Sequence, residues 1–317
     1  MPLVSVIMNI WNGAPYLREA IDSVIAQSHC DWELIAWDDC STDDSAAIVK
    51  SYSDARIRYF LSPEQTPLGR ARHLALQEAK GEWVAFLDQD DIWVSNKLEK
   101  QLVLGIPAPD VGFVYGRTVS FTPSGDKRDF DHRHEFEPLP EGAILERLFI
   151  DSCFVATSSV LFRRSALEEL GGIPPNIHMS PDYHMYLGVS QRYDARAVQG
   201  VVCYYRRHSN NMTLRVLKQV HCECLWLIDR WGAPVAPRLL ARRRKVHQTL
   251  VALEELRQNQ TRRRGLLRLL KSGSLSYLLS RPFARSFRAL RRRVQQPYWQ
   301  REERAGGPLS ARTQPAV

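Results

Sequence analysis

A chain of 317 residues can bury a substantial core, either as one large α/β domain or as a domain with an appendage. Its 44% hydrophobic and 25% charged residues are ordinary for a globular protein, and no apolar run approaches the about twenty residues of a membrane-crossing helix. The net charge of +8 conceals a split: residues 1–212 hold 20 Lys and Arg against 29 Asp and Glu, and residues 213–317 hold 23 against 6.

In chain order, Leu3–Met8 is a short apolar run that suits a buried parallel strand. Leu17, Ala20, Ile21, Val24 and Ile25 then give the segment from Tyr16 to Gln27 one apolar helical face. Glu33–Trp37 reads as a second strand, ended by the polar cluster Asp38–Asp44, where Thr42 or Asp43 suits a helix cap. Ile57–Leu61 is a third strand, Leu68–Ala79 a third helix with Gly81 as its stop, and Trp83–Leu87 a fourth strand ended by Asp88-Gln89-Asp90-Asp91. This alternation predicts a parallel sheet with helices on both faces, and ligands of such sheets bind beyond the carboxyl ends of the strands. Both acidic clusters fall there.

Beyond residue 105 the signals are less regular. Val111–Phe121 reads as a longer strand, 122–140 as a polar loop, Ser159–Arg163 as a strand between helices at Leu145–Phe149 and Ala166–Leu170, and Ala197–Tyr205 as the last strand. A helix starts near Asp182, and from Leu214 the sequence reads as helix or disorder, broken at Gly232–Pro237. The expected organisation is a domain over 1–213 with halves 1–105 and 106–213, a basic helical extension over 214–300, and a disordered tail over 301–317. Leu3 opens a strand with no basic segment ahead of it, and the six cysteines show no zinc or disulfide spacing, so reduced thiols in a cytosolic protein are expected.

The segment Asp88–Asp91 is the most informative. Carboxylates crowded at a strand end raise one another's pKa unless a cation lies between them. A hard divalent ion, Mg²⁺ or Mn²⁺, takes such ligands together with phosphate oxygens. Asp38-Asp39 forms a second cluster suited to accept a hydrogen bond from a ribose hydroxyl or a base N–H. Either cluster alone also reads as an acidic turn capping the next helix, with Asp91 as the cap in the first case. Two clusters on one sheet edge, with Arg72 between them in sequence, suit one nucleotide.

These residues carry a resemblance. Val4–Asn9 with Trp11-Asn12-Gly13, Tyr16-Leu17 and Ala20–Val24, then Asp38–Asp43, Gly69–His73 and Gly81–Trp93 with Lys97-Leu98-Glu99, resemble the motifs of family 2 glycosyltransferases in order and spacing, over about residues 3–213. The resemblance implies a GT-A fold, an inverting mechanism and a nucleotide-diphosphate-sugar donor. It implies that Asp39, with Asn9, Trp11 and Asp38, lines the nucleotide pocket. Arg72 would help to hold the donor, and Asp88 and Asp90 would be the Asp-x-Asp pair, with Asp90 the direct ligand of Mg²⁺ or Mn²⁺. Ser180–Leu187 resembles the segment that carries the general base, which puts Asp182 in that role although Pro181 replaces the customary Glu. Tyr205-Arg206-Arg207-His208 resembles the segment that places Arg206 and His208 near the diphosphate. The acceptor implied is a saccharide or lipid-linked saccharide of the bacterial surface.

The tail has a signal of its own. Phe283, Phe287, Leu290 and Val294 recur at helical spacing among arginines, so residues 261–295 read as a basic amphipathic helix for an anionic membrane surface, or equally as a helix packed on the body or a partner. That would make the protein cytoplasmic and peripheral at the inner face of the membrane. A nucleic-acid-binding protein acting through this tail is the alternative from another class; the acidic body and the lack of a binding module argue against nucleic acid. No Gly-rich dinucleotide or P-loop motif follows the first strand.

Overall fold

The structure is a computed structural model and describes residues 3–122, 127–129, 138–151, 153–209, 211, 217–257, 261, 265, 267 and 268. The expected first half is present. Strands β1 (Val4–Ile10), β2 (Trp32–Asp38), β3 (Ile57–Leu61) and β4 (Trp83–Phe86) run parallel in the order β3-β2-β1-β4. Between them lie helices α1 (Ala14–Ile25), α2 (Ser45–Lys50) and α3 (Leu68–Gln77). Side-chain alternation sends Val4, Val6, Met8 and Ile10 of β1 toward Leu17, Ile21 and Val24 of α1. Ile7 points the other way, into a second core with Ile35, Trp37, Phe86 and the α3 residues Ala71 and Ala75. Both faces are covered, which is why these strands read as nearly continuous apolar runs.

At the opposite end from the acidic clusters, one polar staple closes the sheet. Ser5 Oγ donates to Glu33 (2.7 Å) and accepts from the backbone of Gly81 (2.7 Å), while Arg58 pairs with the second oxygen of Glu33 (2.9 Å). Gly81 has to be glycine, because a Cβ there would lie 2.5 Å from the Ser5 nitrogen.

The second half departs from a parallel sheet. After β5 (Ile92–Trp93), α4 (Lys97–Gly105), β6 (Val111–Phe121), β7 (Lys127–Asp129) and α5 (Leu145–Asp151), a 3-10 turn at Thr157–Ser159 leads into β8 (Leu161–Arg163). The sheet continues β4-β8-β6-β9-β5, with β9 at Asp194–Arg206. Strand β8 is antiparallel to both β4 and β6, β9 is parallel to β6, and β5 is antiparallel to β9. The mainly parallel expectation holds for β1–β4 and for the long β6–β9 pairing, and the short antiparallel pairings of β8, β5 and β7 make the sheet mixed. The physical reason is the route: the chain enters β8 from the site end through the 3-10 turn and so runs back against β4. Asp91 does not cap a helix either; residues 92–93 pair with β9 and α4 begins only at Lys97.

Helices α6 (Arg164–Glu169), α7 (Pro181–Val189), α8 (Leu217–Trp231) and α9 (Pro237–Arg257) complete the described chain. Cys224, Leu227 and Ile228 of α8 and Val235 lie in the same core as Tyr183 and Tyr186 of α7. The core thus runs across residue 213, and the change at that position is one of charge, not of packing. Among the described residues no helix is long and apolar enough to cross a membrane. The proposed membrane segment, 261–295, lies outside the described residues except at 261, 265, 267 and 268.

Candidate active site

The site forms where β1 parts from β4, beyond the carboxyl ends of the parallel strands, as expected of a switch point in an open α/β sheet. Asn9 near the end of β1 has its Nδ2 buried without a hydrogen-bond partner, and Trp11 follows at 45% exposure. The amide of Gln89 clasps the backbone of Trp11 twice, accepting from its N–H (2.9 Å) and donating to its carbonyl (3.0 Å). Asn12 takes a left-handed conformation (φ 50°), which asparagine tolerates, and its Oδ1 accepts from the Thr42 backbone at 2.8 Å. Asp43 and Ser45 accept from the backbones of Ala14 (3.0 Å) and Gly13 (2.9 Å). The N-cap residue of α2 is Asp44, not the expected Thr42 or Asp43; Asp43 accepts from the Ser45 backbone (3.0 Å) as well as from Ala14, so the loops after β1 and β2 form one unit.

Asp38 and Asp39 are both buried at the end of β2. Asp38 accepts from the Ser41 backbone and from the Tyr59 hydroxyl, each at 2.8 Å, so it braces the pocket wall. Asp39 grips the backbone N–H (3.0 Å) and hydroxyl (3.1 Å) of Thr66, which fixes the loop leading to α3. Burial raises its pKa, and the bonds from Thr66 oppose that shift.

The second cluster is built with more charge. Arg72, only 3% exposed, donates to Asp88 at 2.8 Å. Burial raises the pKa of Asp88 against the guanidinium of Arg72, and the neighbouring carboxylates Asp90 and Asp182 push it further up. Asp91 is 1% exposed, accepting from Ser158 Oγ (2.6 Å) and from the Arg206 backbone (3.0 Å). Burial, then Asp90 and Asp88, hold its carboxyl well above the usual range. Arg206 donates to the Asp90 carbonyl (3.0 Å) and to Glu19 (3.0 Å), sandwiched by the rings of Tyr16 and Phe121. His208 lies on the Tyr16 ring and places Nε2 2.9 Å from Asp90 Oδ2.

Among the described residues no three His, Cys, Asp or Glu side chains are gathered as a closed metal cage. The donor set nevertheless fits an open one. The carboxylate of Asp90 suits a hard Mg²⁺ or Mn²⁺ with bonds of about 2.1 Å, and His208, hydrogen-bonded to it at 2.9 Å, would orient that carboxylate toward the ion. Remaining positions would go to diphosphate oxygens and water.

Asp182, the second residue of α7, accepts from Thr157 Oγ1 at 3.0 Å and from the Tyr183 backbone at 2.8 Å. The turn Thr157–Ser159 therefore touches both parts of the site. Thr157 holds Asp182, while Ser158 Oγ binds Asp91 and accepts from the Asp88 backbone at 3.1 Å. Trp93 Nε1 fixes the turn through the Ser158 carbonyl (2.6 Å), as does Gln101 through that of Ser159 (2.8 Å).

The family's sequence model, described as glycosyl transferase family 2, matches residues 5–171. The chain is a family 2 glycosyltransferase. TuaG of Bacillus subtilis, named for teichuronic acid biosynthesis, is 32% identical over 219 residues, covering 67% of this chain and 82% of its own. WfgD of Escherichia coli, a UDP-Glc:α-D-GlcNAc-diphosphoundecaprenol β-1,3-glucosyltransferase, is 28% identical over 69% of this chain and 82% of its own. The fold is shared with S. aureus TarS 1–349 in complex with UDP-GlcNAc (TM-score 0.59, 17% identity, covering 78% of this chain and 70% of that one). It is shared also with the mannosyltransferase PcManGT of Pyrobaculum calidifontis in complex with GDP-Man and Mn²⁺ (TM-score 0.60, 18% identity, 89% and 82% covered). The GT-A expectation is met.

The structure brings the expected residues Asp88, Asp90, Arg72, Arg206 and His208 together in one candidate site, with Asp182 beside Asp88 and Asn9, Trp11, Asp38 and Asp39 along the β1–β2 edge. Sequence reasoning missed Gln89, Glu19, Thr157, Ser158 and Asn211, whose amide also reaches Asp90 (3.4 Å). Gln89 stands inside the Asp88–Asp91 motif, and that position was the available signal.

Proposed function

We propose that this glycosyltransferase is an inverting, metal-dependent hexosyl- or deoxyhexosyltransferase that extends a lipid-linked saccharide during assembly of a surface polysaccharide. The names of TuaG and WfgD support the pathway and the acceptor, and the ligands of TarS and PcManGT support a nucleotide-diphosphate-sugar donor. The observation that carries the mechanism is the turn Thr157–Ser159, hydrogen-bonded to Asp182 on one side and to the Asp88–Asp91 segment on the other.

In this reading the nucleotide lies along the edge formed by Asn9, Trp11, Asp38 and Asp39, with its diphosphate toward Asp90 and His208. A divalent ion bound there, Mn²⁺ or Mg²⁺, supplies charge to offset the departing diphosphate. Asp182 takes the proton of the acceptor hydroxyl as that oxygen bonds to the anomeric carbon. The bond from that carbon to the diphosphate oxygen breaks, and its electron pair leaves with the nucleotide. Attack from the face opposite the diphosphate inverts the anomeric centre. Arg72 and Arg206 are held by Asp88 and by Glu19 and the Asp90 carbonyl, so their charges are fixed before the donor arrives.

The test is a panel of UDP-glucose, UDP-galactose, UDP-GlcNAc, GDP-mannose and dTDP-rhamnose, with a synthetic GlcNAc-diphosphate-lipid acceptor and Mn²⁺ or EDTA. One donor should give a metal-dependent, anomerically inverted product. Asp182→Asn should keep nucleotide affinity and lose about 10²–10⁴-fold in kcat. A retained anomeric configuration, or a variant with a third of the parent turnover, ends the mechanism.

A further inference from the structure

The loop that leads into Asp182 is held by a residue from beyond the family-matched region. Residues 178–180 present three consecutive backbone N–H groups, and a single carboxylate of α8, Glu223, takes all three. Its Oε1 accepts from His178 at 3.0 Å, and its Oε2 accepts from Met179 at 2.9 Å and Ser180 at 2.8 Å. Gln219, one turn earlier, donates to Oε1 at 3.4 Å. Hydrogen bonds to an ionised acceptor are roughly twice as strong as neutral ones. On the other side the Gly69 N–H donates to the Ile177 carbonyl at 3.0 Å, an approach open only to glycine, since a Cβ there would lie 2.2 Å from that oxygen. Gly69 is the second residue of α3, the helix that carries Arg72, so the loop is clamped between the donor half and α8.

The clamp ends two residues before Asp182. Helix α7 starts at Pro181 with Ser180 as its N-cap residue, and Ser180 has no side-chain bond of its own to cap that helix. The backbone at Ser180, set by Glu223, therefore fixes where α7 begins and where the Asp182 carboxylate stands. The bonds of Asp182 to Thr157 and Tyr183 orient it only while that start stays in place.

We propose that Glu223 is a positioning residue for the transfer step, acting through Asp182 without touching either substrate. The inference rests on Asp182 being the base, and it makes α8 part of the catalytic unit. A misplacement of about 1 Å at a reacting group costs about 10²-fold in rate. Glu223→Ala in the full chain should therefore lose about that much in kcat. Its donor KM and its affinity for the free nucleotide should be those of the parent. Glu223→Gln, which keeps one oxygen for Met179 and Ser180, should recover most of the loss.

The deciding measurement is a double-mutant cycle, made with the donor and acceptor that the panel above turns over and with radiolabelled sugar to follow slow variants. In the Asp182→Asn background, Glu223→Ala should add little, because a misplaced asparagine has no further base function to lose. Multiplied losses, a parent-like kcat in Glu223→Ala, or an equal loss of nucleotide affinity would each overturn the proposal. If Glu223→Ala does not fold, Glu223→Asp, whose shorter side chain draws the carboxylate back from residues 178–180, carries the same cycle. Asp182→Asn alone, measured first, separates the two failures: full turnover there removes the base assignment itself, before Glu223 is altered.

Discussion

The imidazole of His208 and the carboxylate of Asp90 meet at 2.9 Å across 118 residues of sequence, with the Tyr16 ring against His208 and the Asn211 amide 3.4 Å from Asp90. This pair is the open half of the proposed metal site. Asp90→Asn and His208→Ala should each weaken nucleotide binding in Mn²⁺ by about 10–100-fold, the loss seen when even an outer partner of a metal ligand is removed. In EDTA both should bind nucleotide as the parent does. Titration calorimetry with UDP and GDP decides it; equal affinity of parent and variants at saturating Mn²⁺ would remove the site.

Gly13 and Gln89 give a prediction about donor binding. A Cβ on Gly13 would stand 2.2 Å from Gln89 Oε1, so Gly13→Ala must expel the amide that clasps Trp11. Two neutral hydrogen bonds are lost, about 1–3 kcal/mol of stability. The Trp11 segment would then be loose, and donor KM should rise while kcat changes little. Gln89→Ala should add almost nothing in the Gly13→Ala background, and additive stability losses from urea unfolding would refute the contact.

The site's legibility followed the range of its contacts. Strands β1–β4 and the clusters at Asp38 and Asp88 were readable because periodicity and turn chemistry are local to a few residues. The antiparallel β8 was not, since direction depends on where the chain returns, and Leu161–Arg163 looks the same run either way. Thr157 and Ser158 were invisible for a related reason: an Ala-Thr-Ser-Ser stretch says nothing of the carboxylates 67 and 25 residues away that it touches. Glu223 left a trace. It lies on the apolar stripe of Val220, Cys224, Leu227 and Ile228, where an acid needs buried donors, and the donors it found are backbone groups that no sequence pattern displays.

Three buried histidines set a pH response. Burial lowers His184 and His221 from 6.5 to about 4, and burial, then Arg243 and His221, hold His247 well below the usual imidazole range. The unfolded chain therefore binds protons that the folded chain refuses between pH 6.5 and about 4, so stability is full above that window and falls as pH drops through it. The raised carboxylates Asp39, Asp88 and Asp91 act with the opposite sign, so the effect is read from a difference. His221 and His247 meet Nδ1 to Nδ1 at 3.3 Å, and His221→Gln should lose less stability than the parent from pH 7 to pH 5. Parallel urea-unfolding curves at the two pH values would contradict this.

Ser5 predicts a stability change with no effect on chemistry. Ser5→Ala leaves the buried Gly81 N–H without its acceptor and removes a donor from Glu33, at a cost of about 1–3 kcal/mol. Thermal unfolding should register the loss, and kcat and KM at low temperature should stay at parent values, because the staple is at the far end of the sheet from the site.

The basic tail is tested apart from catalysis. Each Lys or Arg near an anionic bilayer contributes about 1 kcal/mol, so residues 261–295 should bring the full chain onto anionic vesicles at low salt and release it at high salt. A chain ending near Arg257 should stay in solution and still hydrolyse donor. Equal sedimentation of both would point to packing on a partner subunit instead.

The place of Glu223 in the sequence bears on how the enzyme comes into being at the ribosome. Domains condense from the N-terminus as synthesis proceeds. The parallel strands and their acidic clusters lie within residues 3–91 and emerge early, whereas Arg206 and His208, which complete the diphosphate end of the proposed site, follow more than a hundred residues later. The loop before Asp182 gains its clamp only when α8 leaves the exit tunnel. The diphosphate end and the base thus both wait for residues 206–223, and a chain released before β9 is complete should hold nucleotide sugar weakly and turn over little.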